Sequence, residues 1–338
     1  MKIVHSDKHA AHDPQTFFVR GVNRPAAEQP ERAERLLGAA TGAGHEVVAP
    51  RRYGTAPAAA IHTPEYLDFL STIARDWAQL PGASAEVLPN VHPARYGATY
   101  PKALVGRAGW HQADLGCPIG PGTWEAAIAA TEVATTAADL VLEGTRAAYA
   151  LCRPPGHHAY ADMAGGFCYL NNSAIAAQRL RSKHARVAIL DVDVHHGNGT
   201  QGIFWERADV LTISIHADPS NYYPYFWGHA HETGAGPGTG FNLNLPQPMG
   251  SPDAPWLAAG DTALARIREF APTTLVVALG LDASESDPLQ GLKVTGPGFR
   301  AMAQKIASLG LPTVLVQEGG YLSDDLGRNL VQFLAGFG

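Results

Sequence analysis

Cysteine is scarce in this chain, with three in 338 residues. Cys117, Cys152 and Cys168 are odd in number and form no Cys-x-x-Cys pair, which argues against a disulfide framework. No apolar run approaches the roughly 20 residues needed to span a bilayer. The opening segment MKIVHSDKHA carries charges and two His and lacks the apolar stretch of a signal peptide, so a cytoplasmic location is expected. Basic surplus is absent too. With 25 Lys and Arg against 31 Asp and Glu the net charge is −6, which argues against a general nucleic-acid binder and is compatible with a cationic substrate. No internal repeat or low-complexity linker divides the chain, which predicts one domain over residues 1–338. What remains is an ordinary globular composition, 46% apolar and 17% charged, long enough to bury a large core.

The C-terminal two-thirds alternates strand and helix signals with short connections. Strands are expected at 147–152, 187–192, 210–215, 274–279 and 312–317. Helices are expected at 123–143, 172–181, 254–270, 298–309 and 324–334, the first with Thr123 in capping position and Glu125 in its first turn. Alternating βα units with continuous apolar strands predict an α/β fold, a mostly parallel central sheet with helices on both faces. Two stretches interrupt the pattern. Residues 77–122 are rich in Pro, Gly and Ala with little strand or helix periodicity, and 219–237 is rich in aromatics and His. A loop as long as the first is usually functional or forms an interface.

Four short segments place metal-capable or proton-transfer residues just past apolar runs: Arg153-Pro154-Pro155-Gly156-His157-His158, Asp191-Val192-Asp193-Val194-His195-His196, Gly280-Leu281-Asp282 and Glu318-Gly319-Gly320-Tyr321. The alternation of strand side chains would put Asp191, Asp193 and His195 on one side. Carboxylate oxygen and imidazole nitrogen are good zinc ligands, and a catalytic zinc usually has three protein ligands with one position open. Asp282 could supply the third ligand from a neighbouring strand. The other reading of the Asp-x-Asp-x-His run is a polar cluster capping the next helix, but uncompensated buried charge is expensive, and a divalent cation removes that cost. The tandem His157-His158 behind a rigid Pro-Pro-Gly turn suits proton transfer near neutral pH. His196 faces the other way, and a structural hydrogen bond is expected of it. Asn198, in a tight Gly-Asn-Gly turn, could orient one of the catalytic His. Tyr321 follows two glycines that allow close approach to a ligand; its hydroxyl could stabilise an oxyanion, or its ring could simply pack over a loop. Phe167, after Gly165-Gly166, and Tyr223 are candidate pocket walls. In open α/β sheets ligands bind beyond the carboxyl ends of the strands, where all four segments fall. The residues read as those of a metal-dependent hydrolase.

With RPPGHH, GGFCYLNN, ILDVDVHHGNGTQ, ISIH, LGLD and EGGY in this order, and PGTWEAA at residues 121–127, the chain resembles the arginase/deacetylase superfamily. More closely, it resembles the zinc-dependent histone deacetylases and their bacterial relatives, the acetylpolyamine amidohydrolases. The resemblance implies zinc on Asp193, His195 and Asp282, His158 as general base and acid, and His157 as its electrostatic neighbour. Tyr321 would polarise the scissile carbonyl, Asp191 would pair with His157, and Asn198 with His158. A structural potassium ion would lie against Asp191, Asp193, His195, Ser214 and Ile215, partly through backbone carbonyls. Phe167 and Tyr223, with Gly166 beside them, would grip the extended substrate.

Two departures stand out. Tyr223 replaces a common Phe, and Val105, flanked by Lys102 and Arg107, falls where the acetylpolyamine enzymes are known for an acidic residue in the long loop. The implied activity is removal of an acyl group, foremost acetyl, from a small alkylamine such as an acetylated polyamine. A protein acyl-lysine deacetylase or a short-chain esterase is the alternative. A non-catalytic ligand-binding homologue is disfavoured because every ligand, the His pair and the Tyr are present. The long loop 77–122, lent across a subunit boundary, would narrow the mouth of a homodimer.

Overall fold

A computed structural model describes residues 1–94 and 97–337; Arg95 and Tyr96 of the 77–122 segment, and the last residue of the expected domain, lie outside them. Among the described residues ten strands run in chain order as β1 (Lys2–Val4), β2 (Thr16–Val19), β3 (Val22–Pro25), β4 (Glu46–Val48), β5 (Ala147–Ala150), β6 (Val187–Asp191), β7 (Val210–Ala217), β8 (Asn242–Gln247), β9 (Leu275–Leu279) and β10 (Thr313–Gln317). Eight form one sheet in the order β4-β1-β5-β10-β9-β6-β7-β8, every pairing parallel. β2 and β3 pair separately as an antiparallel hairpin. The expected parallel α/β architecture is what the chain adopts.

The strands are apolar on both faces because helices cover both. VAILD of β6, VLTISIHA of β7, LVVAL of β9 and TVLVQ of β10 are buried throughout. One layer of the core gathers Leu190, Ile213, Trp256, Leu264, Val277, Phe299, Leu315 and Phe333. The opposite layer sets Val133, Ala137 and Leu180 against Ile189, Val276 and Val314. The helix Thr123–Leu142 is nearly all buried, and its run of Ala and Thr lets it lie close to the sheet. Gly122, not Thr123, occupies its N-cap; Thr123 is the first helical residue and its hydroxyl meets the Gly120 amide at 2.9 Å and His12 Nδ1 at 3.0 Å.

Two further expectations need correction. The 77–122 segment contains a helix, Leu104–His111, whose short amphipathic period is obscured by its two glycines; a third packing cluster ties it to Phe69, Ile73 and Ile119. The other concerns Asp191, Asp193 and His195. The strand ends at Asp191, so alternation does not align the three. Instead the Asp193 amide donates to Asp191 Oδ1 (3.0 Å) and the His195 amide to Asp193 Oδ1 (2.9 Å). Each Asp side chain thus caps the backbone two residues on, the local bonding that Asp favours in turns. Among the described residues, no helix is long and apolar enough to cross a membrane.

Chain order and sheet order differ in one respect that matters. β5 and β6 are separated by β10 and β9, the last two strands made. The loops after these four neighbouring central strands carry the four polar segments, at the carboxyl edge where α/β sheets bind ligands. Beneath that edge Glu28 is fully buried and bridges two guanidiniums, Arg32 at 2.7 Å and Arg153 at 2.8 Å. Glu28→Gln strands two buried cations and should cost about 3–5 kcal/mol; urea unfolding measures it, and a loss under about 1 kcal/mol would contradict this account.

Candidate active site

Glu318, at the end of β10, organises the first loop. Its Oε2 accepts from the backbone amides of Gly156 (2.6 Å) and His157 (3.0 Å), and its Oε1 from Ser173 Oγ (2.7 Å). Burial pushes this carboxyl up to about 7, against the pull of His157. The staple fixes both histidines, whose rings lie 4.0 Å apart. His157 Nδ1 is 2.9 Å from Asp191 Oδ2. Burial opposes its charge, but Asp193 and Asp191 outweigh that and lift His157 to about 10. His158 Nδ1 is 2.6 Å from Asn198 Oδ1, while Asn198 Nδ2 donates to Tyr160 Oη. A carbonyl acceptor at Nδ1 places the His158 proton there and leaves Nε2 free. Burial, then the charges of His157 and His195, hold His158 well below its ordinary value. The adjacent pair is thus split into one cation and one neutral base, the environmental separation that assigns acid–base roles.

Asp193, His195 and Asp282 converge, with one ligand atom of each within 4.8 Å of the others. Both carboxylates are fully buried, and His195 Nδ1 lies 3.1 Å from Asp193 Oδ1 and from Asp282 Oδ2. A single imidazole nitrogen cannot satisfy two carboxylates with one proton. Burial disfavours the imidazolium, yet the two carboxylates lift His195 to about 9, and burial beside Asp193 raises Asp282. A divalent cation among two oxygen donors and one nitrogen resolves this conflict, and the donor set fits zinc with a position left open. Asp282 Oδ1 also accepts the Val194 amide (3.0 Å), and Asp193 Oδ2 accepts the Gly319 amide (2.8 Å). Gly319 is needed here because a Cβ would fall onto the carboxylates of Asp282 and Asp193.

Tyr321 is 3% exposed. Its amide donates to Asp287 Oδ2 (2.9 Å), and its ring packs 4.7 Å from the Arg32 guanidinium. Burial raises the phenol well above its ordinary value, so Tyr321 stays a hydroxyl donor. Arg32 also donates to the carbonyls of Gly320 (2.5 Å) and Glu318 (2.7 Å). Phe167 stands edge-on to Tyr321 at 5.7 Å, and Tyr223 edge-on to His158 at 4.9 Å. Gly166 adopts φ +51° between them, close enough that a Cβ would strike the His158 ring. Tyr223 Oη donates to Asp114 Oδ2 (2.6 Å), which also accepts the Gly166 amide (3.1 Å). One carboxylate therefore locks both walls together.

Ser214 and Ile215 lie on β7, with Ser214 in register beside Asp191; the Ser214 hydroxyl is 2.8 Å from His216 Nδ1. Asn198 begins a helix, Asn198–Phe204, rather than forming a free turn. His196 Nδ1 has no partner among the described residues, while Gln201 and Asn244 meet the ring as side-chain hydrogen-bond partners; the ring packs 4.7 Å from His216. Of the cations beside Val105, Arg107 is turned to Asp68 (3.0 Å) and the Tyr100 hydroxyl (3.1 Å). Sequence reasoning gave Glu318 no role, although it follows an apolar strand, and it missed Arg32, Asp114 and Asp287, which carry no local signal.

A family model described as histone deacetylase domain matches residues 26–337. The chain belongs to the histone deacetylase family. Within it, the chain is 48% identical over 335 residues to an acetylpolyamine amidohydrolase of Burkholderia pseudomallei, covering 99% of this chain and 97% of that protein. It is 42% identical over 339 residues to an acetylpolyamine amidohydrolase of Mycoplana ramosa, covering 99% of each. The crystal structure of an acetylpolyamine aminohydrolase from Burkholderia pseudomallei superimposes with a TM-score of 0.96 at 47% identity, covering 100% of this chain and 98% of that one. This histone deacetylase-family site depends on the backbone approach at Gly319. Gly319→Ala should weaken zinc retention about 10- to 100-fold while the fold persists, and Asp282→Ala should abolish it. Metal analysis after dialysis, alongside circular dichroism, reads both; full zinc content in either variant refutes the assignment.

Proposed function

We propose that the chain is a zinc-dependent amidohydrolase that removes an acyl group, foremost acetyl, from a small alkylamine such as an acetylpolyamine. The carrying observation is the convergence of Asp193, His195 and Asp282 beside His158, whose ring stands edge-on to His195 at 5.8 Å. Zinc held by Asp193, His195 and Asp282 would supply Lewis acidity and a nucleophile at neutral pH. Tyr321 donates its hydroxyl to the carbonyl oxygen as negative charge develops there, a contribution of about 3–4 kcal/mol. His158 accepts a proton at Nε2 from the attacking water and delivers it to the leaving nitrogen, while Asn198 keeps its Nδ1 proton in place. His157, held by Asp191, keeps a positive charge beside that imidazole and favours return of the proton. Phe167, Tyr223 and Gly166 bracket the alkyl chain.

The same reading gives Asp191, Asp193, His195, Ser214 and Ile215 a potassium ion, supported by the pairing of Asp191 with Ser214. It makes the whole chain one domain whose 77–122 segment lines the mouth, supported by Asp114 and its bond to Tyr223. The exposed Val91 and Val105 of that segment fit an interface between two copies, and sedimentation would give a homodimer. The substrate is a small acylated amine, with no nucleic-acid partner, and the three free buried cysteines suit the reducing cytoplasm.

A panel of acetylated diamines, acetyl-lysine peptides and simple esters, assayed with zinc-loaded protein, tests the substrate class; peptides or esters turned over faster than the diamines would overturn it. Tyr321→Phe should lower kcat about 100-fold or more, because one oxyanion donor is lost while substrate contacts remain. His158→Ala should be at least as damaging. Near wild-type amide turnover in either variant would show the roles to be wrong.

A further inference from the structure

A line of aromatic rings leads out of the site. Beyond His158 and Tyr223, Tyr225 lies 6.4 Å from Tyr223 at 82°, and Phe226 lies 6.5 Å from Tyr225 at 64°. Exposure climbs along it, from 4% at His158 to 53% at Tyr225 and 78% at Phe226. Single exposed apolar residues are commonplace. These two are continuous with the site, and their loop is pinned. The Tyr225 amide donates to the Tyr222 carbonyl (2.9 Å), and the Gly228 amide to Glu232 Oε2 (2.9 Å). His216 Nε2 holds the Gly228 carbonyl at 2.8 Å, and Tyr222 Oη donates to the Leu289 carbonyl.

Tyr225 sits at φ +61°, a left-handed conformation that a bulky residue adopts only where its surroundings enforce it. Among the described residues, the Arg side chains that stack on rings cover Tyr321, Phe69, Phe270 and Phe204. None covers Tyr225 or Phe226. A pinned, strained loop thus presents free ring faces just beyond Tyr223, the wall that packs on His158. Aromatic faces attract cations through the ring quadrupole, and quaternary ammonium groups are bound this way.

We propose that Tyr225 and Phe226 form an outer subsite that binds the distal ammonium of the acylated amine against their ring faces. This rests on the reading of the site as an acylated-amine amidohydrolase and names the residues that select the amine. Each exposed contact of this kind corresponds to about two- to fivefold in affinity, so two rings together give about five- to tenfold and selectivity is modest. It depends on one cation within reach rather than on the total charge of the substrate.

The test uses zinc-loaded Tyr321→Phe protein, in which turnover is suppressed, and calorimetry with three ligands. They are N-acetyl-1,4-diaminobutane, its trimethylammonium analogue and the neutral N-acetylbutylamine. Both cations should bind about five- to tenfold tighter than the neutral ligand, the trimethylammonium form at least as well as the ammonium. Phe226→Leu should reduce that ratio about two- to fivefold and Phe226→Trp should keep it. Tyr225→Asn, a residue that tolerates the left-handed backbone, combined with Phe226→Leu should abolish it. A ratio of one in the parent, a ratio insensitive to these variants, or loss of the advantage on trimethylation would overturn the subsite. So would a changed subunit count in the double variant by sedimentation, which would make the patch an interface between copies. Turnover of N-acetyl-1,4-diaminobutane by the unmodified enzyme separates the two readings. No turnover with the binding ratio intact removes only the hydrolase reading; turnover with an insensitive ratio removes only the subsite. Failure of all three ligands to bind removes both.

Discussion

Four carboxylates, Asp191, Asp193, Asp282 and Glu318, are buried at the carboxyl edge of three adjacent strands, β6, β9 and β10, and the arrangement around them is constrained by that concentration of negative charge. Each must be met by hydrogen-bond donors or by cations, since an ionised group without partners is excluded from a protein interior. Backbone amides meet much of it: Gly156 and His157 on Glu318, Val194 on Asp282, Gly319 on Asp193. The remainder falls to His157 and to whatever cation sits among Asp193, His195 and Asp282. Metal affinity and proton chemistry therefore have a single electrostatic origin.

The same constraint separates the two adjacent histidines. His157 faces the carboxylates and is held protonated; His158 faces Asn198 and the cation next to it and is held neutral. Neither environment comes from the histidine dipeptide alone. Asp191 comes from β6 and Asn198 from the helix after it, and the staple that aims both rings comes from β10. Acid–base polarity here belongs to the sheet order, because the insertion of β9 and β10 between β5 and β6 sets Glu318 and Asp282 between the histidine loop and the Asp191 loop.

Behind the reacting groups lies a second charged layer. Glu28 joins Arg32 to Arg153, and Arg32 in turn holds the carbonyls of Glu318 and Gly320 and packs on Tyr321. Since Arg153 opens the loop that carries His157 and His158, one ion-pair network braces both the histidine loop and the tyrosine loop. At the outer rim Asp114 does the equivalent for Gly166 and Tyr223. Rigid support of this kind matters because catalytic geometry must be held to fractions of an ångström.

The core strands, the long helix over 123–142 and the four polar segments were legible in the sequence, because each is a local pattern: an apolar run of five to eight residues, or metal-capable side chains at fixed spacing after it. The short strands Lys2–Val4 and Glu46–Val48 were not legible, since three residues carry no periodicity and become strands only by pairing, Lys2–Val4 with β5 and Glu46–Val48 with Lys2–Val4. The helix Leu104–His111 was hidden by its glycines. Alignment of Asp191, Asp193 and His195 was expected for a strand but arises from Asx-type caps after the strand ends. Sequence by itself determined which metal-capable and proton-transfer side chains follow the apolar runs, because their identities and spacings are local properties of the chain. Tertiary structure alone decided which histidine is charged, which glycine may not carry a Cβ, and which aromatics face the mouth. Those depend on groups more than thirty residues away, brought together by strand order rather than by chain order.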